Sequence, residues 1–149
     1  MPVFESSVEL PRPVAEVFAF FLDPRNLERV SPPDLHLRVV EGPGRLALGS
    51  RIVVTGRRWG VPQRIVSEVT AFEAGRSFTD TQVSGPFPRW AHMHGFEEVP
   101  GGTRVSDRID YEAPGGVIGL VLTPAFLAED LKRIYAYREE KLRELLGYG

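Results

Sequence analysis

Every second residue from Trp90 to Phe96 carries a large or ionisable side chain: Trp90, His92, His94 and Phe96. Period two marks one face of a β-strand, so two of the chain's three histidines point the same way. The next run repeats the pattern with Val105, Asp107, Ile109 and Tyr111. An imidazole held beside a carboxylate is fixed in one tautomer. It can anchor a polar group of a ligand or pass a proton as general base and acid. With Gly101-Gly102 read as a two-residue hairpin loop, Phe96 pairs with Asp107, His94 with Ile109 and His92 with Tyr111. Asp107 then lies diagonal to His94, within reach of a hydrogen bond. A slip of one residue would send the two sets to opposite faces. Taken together, Trp90, His92, His94, Phe96, Asp107, Ile109 and Tyr111 read as the wall of a ligand pocket.

The two histidines admit three readings. Buried polar groups are paired whether or not a ligand arrives, so a satisfied polar network in a β-rich core fits them as well as ligand contact does. Trp90 taken alone reads as packing. A metal pair is the third reading, because alternate strand positions can reach one ion. It needs a further ligand from Asp107 or His36, and nothing in the sequence brings either nearby, so no metal and no cofactor is assigned. Arg57 and Arg58 alternate on a strand. At most one of them faces inward, and solvent is the expected place for both. Asp80 and Gln82 alternate with Thr79 and Thr81, which leaves open which pair faces inward. Gly42, Gly44, Gly101 and Gly102 fall at hairpin turns rather than ahead of a helix, which excludes a phosphate cradle. Ser67 and Ser84 have no histidine at the spacing of a nucleophile and its base.

The composition narrows the function classes. The chain has 149 residues, 42% hydrophobic and 26% charged, with a formal net charge of -2. These values suit one domain spanning 1–149 and argue against a nucleic-acid or anionic-membrane binder. There is no cysteine, which removes thiolate catalysis, redox sensing and disulfides together. No apolar run approaches the roughly 20 residues of a membrane span, and no basic segment precedes an apolar stretch at the start. A cytoplasmic protein is expected. A homodimer is compatible with the sequence and not specified by it.

The elements that must position these residues follow from periodicity and punctuation. Residues 2–10 read as a strand. Pro13 opens a helix with Val14, Val17, Phe18 and Phe21 on one stripe, and Asp23-Pro24 opens a second short helix through about Val30. Strands are expected at 36–41, 50–59, 63–73, 76–83, 87–99 and 103–112, separated by turn residues as in an antiparallel meander. The strand 87–99 is long enough that it must bend around something, and the last helix is the object available. That helix starts at Thr123-Pro124 and stops at Gly147, with Leu127, Leu131, Ile134, Arg138, Leu142 and Leu145 on one face. The tract 115–122 reads either as an extra helical turn or as a hinged flap.

A strand, two short helices, an antiparallel run and one long terminal helix is the order of an α+β helix-grip fold, with a curved sheet wrapped around the C-terminal helix. The chain also resembles, along nearly its whole length, the START-like, polyketide-cyclase-related superfamily, also called SRPBCC, and in particular its small bacterial ligand-binding members. The residues that carry the resemblance are Pro13, Val17-Phe18, Asp23-Pro24, Asn26-Leu27 and Pro32-Pro33 at the front. In the middle they are Phe78, Asp80, Gln82, Gly85-Pro86-Phe87, Trp90, His92, His94 and Phe96. Gly102-Thr103, Asp107, Tyr111, Pro114 and Tyr135-x-Tyr137-Arg138 complete the set. The resemblance implies an internal cavity for a hydrophobic small molecule, lipid or polyketide-like. It also leaves open a cyclase, dehydratase or aromatase that uses histidine and aspartate as general base and acid.

Overall fold

The computed structural model describes residues 2–147. After β1 (Val3–Leu10) come α1 (Val14–Leu22), α2 (Asn26–Val30) and a 3₁₀ turn at Pro33–Leu35. Six strands follow: β2 (Arg38–Glu41), β3 (Arg51–Arg58), β4 (Val61–Glu73), β5 (Ser77–Ser84), β6 (Arg89–Val99) and β7 (Gly102–Glu112). The chain then forms α3 (Gly116–Val121) and α4 (Pro124–Leu146). The strands make one antiparallel sheet in the order β1-β7-β6-β5-β4-β3-β2, so the first strand closes on the last. Register shifts in β2 and β4 mark irregularities of the kind that bend a strand, and the sheet curves around α4.

Local chemistry accounts for the helix boundaries. The Pro13 carbonyl accepts from the amides of Glu16 and Val17 at 3.1 Å, and Val17, Phe18 and Leu22 of α1 turn to the core. Asp23 Oδ1 accepts the Arg25 amide at 3.0 Å and Asn26 Nδ2 donates to the Phe20 carbonyl at 2.7 Å, which swings the chain from α1 into α2. Thr123 Oγ1 accepts the Phe126 amide, and Pro124 sits at the first helical position, where its missing N–H leaves no bond unmade. At 1.5 Å per residue the 23 residues of α4 span about 35 Å, the length of the sheet's long strands.

Two expectations are corrected by the structure, and an open one is settled. The loop between β6 and β7 is Pro100-Gly101, with Val99 paired to Gly102. Proline fixes its own φ and Gly101 takes a φ of 86°, the order that suits a type II turn. The register is therefore two residues from the expected one: Phe96 faces Val105, His94 faces Asp107, His92 faces Ile109 and Trp90 faces Tyr111. A shift of two preserves which face each side chain occupies, so the set stays together while its partners change. The buried stripe of α4 is Leu127, Leu131, Tyr135, Arg138, Leu142 and Leu146, so Tyr135 and Leu146 take the places expected for Ile134 and Leu145. The tract 115–122 contains a helical turn whose Val117, Ile118, Leu120 and Val121 are all exposed.

The core has two parts. One gathers Phe18, Phe78, Phe96, Leu142 and their neighbours, and the other gathers Phe87, Ile109, Tyr111, Leu127, Leu131 and Tyr135. The imidazoles of β6 lie between them.

Candidate functional site

Three rings stack in a row. Phe78 lies 4.3 Å from His94 with planes 17° apart, and His94 lies 3.7 Å from His92 with planes 25° apart. The stack follows from the sheet: His92 and His94 are two residues apart on β6, and Phe78 faces His94 across β5. Each imidazole is held by a carboxylate from a different neighbouring strand. His92 Nε2 donates to Asp107 Oδ1 of β7 at 2.7 Å, and His94 Nε2 donates to Asp80 Oδ2 of β5 at 2.6 Å. His92, His94 and Asp107 are buried. Asp80 keeps about a fifth of its side chain accessible, on the side of the hollow it lines.

Helix α4 supplies the other charge. Arg138 is 9% exposed; its Nη1 donates to the Tyr135 hydroxyl at 3.1 Å and lies 4.0 Å from Asp107 Oδ1. The Tyr135 oxygen is 3.4 Å from both ring nitrogens of His92. Burial pushes the Asp107 carboxyl up, but the hydrogen bond from His92 and the charges of His92, Arg138 and His94 outweigh it and hold it at about 2. Asp80 is lowered on the same balance, with the His94 bond against burial. Burial, reinforced by repulsion from His92, pulls His94 below its ordinary value despite Asp80 and Asp107. Burial lifts the Tyr135 phenol above its usual range, so it stays protonated. Two carboxylates and one guanidinium sum to minus one. Like charge at 3.7 Å opposes protonation of both stacked imidazoles together.

This cluster forms one wall of a hollow of about 240 Å³ between α4, the α1–α2 segment and strands β3 to β6. The rest of the wall is mainly apolar, with Phe20, Phe21, Leu27, Leu131, Ile134 and Trp90 among its residues. On one flank the β3–β4 hairpin is fastened to α4: Arg58 Nε and Nη2 donate to Asp130 Oδ2 at 3.1 and 3.0 Å, and Trp59 Nε1 donates to the same oxygen at 3.2 Å. The Arg58 guanidinium also sits over the Trp59 ring at 4.5 Å. Trp59 and Gly60 both have positive φ, 56° and 75°, as a two-residue hairpin loop of this twist requires.

A family model described as polyketide cyclase / dehydrase and lipid transport matches residues 1–147. The chain belongs to this family. Among curated proteins it is 32% identical over 112 residues to MT0096, an uncharacterised protein of Mycobacterium tuberculosis. That match takes in 74% of this chain and 48% of the other, so the chain spans about half the length of the curated relative. Among solved structures, protein CV1439 from Chromobacterium violaceum superposes with a TM-score of 0.78 at 14% identity, covering 100% of each chain. A START superfamily protein from Mycobacterium smegmatis superposes with a TM-score of 0.69 at 14% identity, covering 96% of this chain and 98% of that one. These likenesses establish the START-like helix-grip fold.

Within this member of the polyketide cyclase / dehydrase and lipid transport family, the expected site residues divide. Trp90, His92 and His94 line the hollow. Phe96 packs in the first core cluster against Phe18 at 5.0 Å, while Ile109 and Tyr111 belong to the second. Asp107 stands behind His92, so the aspartate expected to hold His94 holds His92 instead. Asp80, whose facing the sequence left open, is the true partner of His94. Arg58, expected in solvent, is paired and turned to the hollow. Arg138 was legible as a charge on an otherwise apolar stripe, a position that demands a partner, and as part of the family resemblance, but not as a member of this cluster. His36 is exposed and lies outside the cluster. Asp80, His92 and His94 can each bring one ligating atom within 4.8 Å of the others. Both Nε2 atoms are engaged by carboxylates of opposite neighbouring strands, His92 by Asp107 and His94 by Asp80. An imidazole backed by a carboxylate at the edge of an apolar hollow can take up or release a proton.

Proposed function

We propose that this protein holds an apolar small molecule in the hollow between α4 and the sheet. The observation that carries the reading is the hollow's own construction: a mainly hydrocarbon and aromatic wall into which Asp80, His92, His94 and Arg138 enter as one polar cluster. Small-molecule sites are built this way, area from the walls and orientation from a few placed polar groups, in volumes of roughly 300–1,000 Å³. At about 240 Å³ the hollow suits a compact occupant, such as a bicyclic ring system or a short chain. Membership of a family described by polyketide cyclases, dehydrases and lipid transport supports the same class of occupant.

The reading is tested with N-phenyl-1-naphthylamine, a neutral probe whose fluorescence rises in apolar surroundings. The wild-type chain is expected to bind it at one saturable site. Ile65→Trp and Ile134→Trp, which fill the hollow from the sheet and from α4, are expected to fold and to weaken binding by about tenfold or more. Binding unchanged in both filled variants, or absent in the wild type, overturns the proposal.

A further inference from the structure

Resting on that reading, we infer that the occupant's polar end is a neutral oxygen acceptor, a ketone, ester or amide carbonyl, seated on Arg138, and that the site discriminates against a carboxylate. Arg138 lines the hollow and is nine-tenths buried. A guanidinium carries five N–H donors, and a buried donor left unpaired is costly. Only Nη1 is engaged, by the Tyr135 hydroxyl at 3.1 Å; Asp107 at 4.0 Å is beyond hydrogen-bond reach. Among the described residues the one fully sealed side-chain polar atom without a partner is His94 Nδ1. The spare nitrogens of Arg138 are therefore not sealed, and the surface they keep opens on the hollow their side chain lines. They lack an acceptor.

The charge of the cluster decides what kind of acceptor fits. Asp80 and Asp107 each accept a short bond from an imidazole, and Arg138 is the one fixed positive charge facing these two carboxylates. A ligand carboxylate would lose its water and add a further negative charge to two enclosed carboxylates faced by one guanidinium. A carbonyl oxygen satisfies the same N–H groups and adds no charge. Asp80 at the wall and Asp107 behind it make the same selection, since either would repel an anion placed on Arg138.

Three naphthalenes of matched shape separate the possibilities by displacement of N-phenyl-1-naphthylamine: 2-acetylnaphthalene, 2-ethylnaphthalene and 2-naphthoate. For the wild type the ketone is expected to bind about tenfold tighter than the hydrocarbon, and the carboxylate weaker than the ketone by a similar factor. In Arg138→Met the ketone is expected to lose its advantage over the hydrocarbon. Because that variant leaves Asp107 without its cation, the wild type is also read directly with carbonyl-labelled 2-acetylnaphthalene. Its ¹³C resonance is expected to move downfield on binding, as a hydrogen-bonded carbonyl does. Equal affinity for ketone and hydrocarbon, tightest binding by the carboxylate, or a ¹³C resonance that does not move downfield overturns this inference and leaves the apolar-binding reading standing. Failure of every naphthalene and of the probe to bind overturns both.

Discussion

Asp107 is the residue on which the cluster turns, because it answers both His92 at 2.7 Å and Arg138 at 4.0 Å from one oxygen. Asp107→Asn keeps an oxygen that can accept from His92 but removes the charge opposite a buried guanidinium. Breaking a buried pair in this way costs about 3 kcal/mol or more. Urea unfolding at pH 7 is expected to show that loss, while Asp110→Asn, on the half-exposed side of the same strand, is expected to change stability by less than about 1 kcal/mol. Equal effects of the two substitutions would mean that Asp107 is not a structural counter-ion. At this scale the sequence was partly legible. Strand periodicity placed Trp90, His92, His94 and Asp107 on one face, and parity survives a register error of two. Partner identity does not survive it, since hydrogen bonds depend on which residues face each other. Asp80 and Arg138 escaped because their strand and helix patterns carry no mark of which neighbour will meet them.

Among the elements, the β6–β7 hairpin shows how local chemistry sets the register of the site. Gly101 and Gly102 look equivalent in the sequence but do different work. Gly101 has a φ of 86° in open space, whereas a Cβ on Gly102 would lie 2.0 Å from the Leu10 carbonyl oxygen. Gly101→Ala is expected to cost about 1 kcal/mol, the usual penalty for a side chain in the left-handed region. Gly102→Ala is expected to cost more, because β1 must move away from β7 and the paired backbone moves with it. Thermal unfolding of the two variants ranks them, and a larger loss at Gly101 would contradict the register on which the His92–Asp107 pairing rests. The starts of α1 and α4 were readable from Pro13 and from Thr123-Pro124 because these signals act within a few residues, whereas α2 begins at Asn26, two residues past the Asp23-Pro24 signal. The buried stripe of α4 was misplaced by one residue at Ile134 and again at Leu145, because a helical face is wide enough for neighbouring positions to share it, and the curved sheet decides which is buried.

For the whole molecule, the sheet's closure around α4 brings into a dry interior charges that the unfolded chain leaves in water, and pH dependence reports the difference. His94 is lowered in the folded protein by burial and by His92, against Asp80 of β5 and Asp107 of β7, with Arg138 of α4 facing the same cluster. Between its lowered value and the ordinary value near 6.5, the unfolded chain binds a proton that the folded one refuses, so stability falls as pH drops below about 6.5. The carboxyls act in the same direction at lower pH. Asp107, at about 2 against an ordinary 3.8, contributes on the order of 2 kcal/mol above about pH 4, which is lost on further acidification, and Asp80 adds to it. The fold order was readable in the sequence because each element buries its own stripe. This coupling was not, since it depends on three strands and a helix meeting at one place. Calorimetry from pH 8 to pH 3 is therefore expected to show a melting temperature that is level above pH 7, declines through pH 6 to 5 and drops steeply below pH 4. In Asp107→Asn the steep limb is expected to flatten. A melting temperature that rises between pH 7 and pH 5 would show that folding favours a charged His94, and the charge balance assigned to the hollow would be wrong.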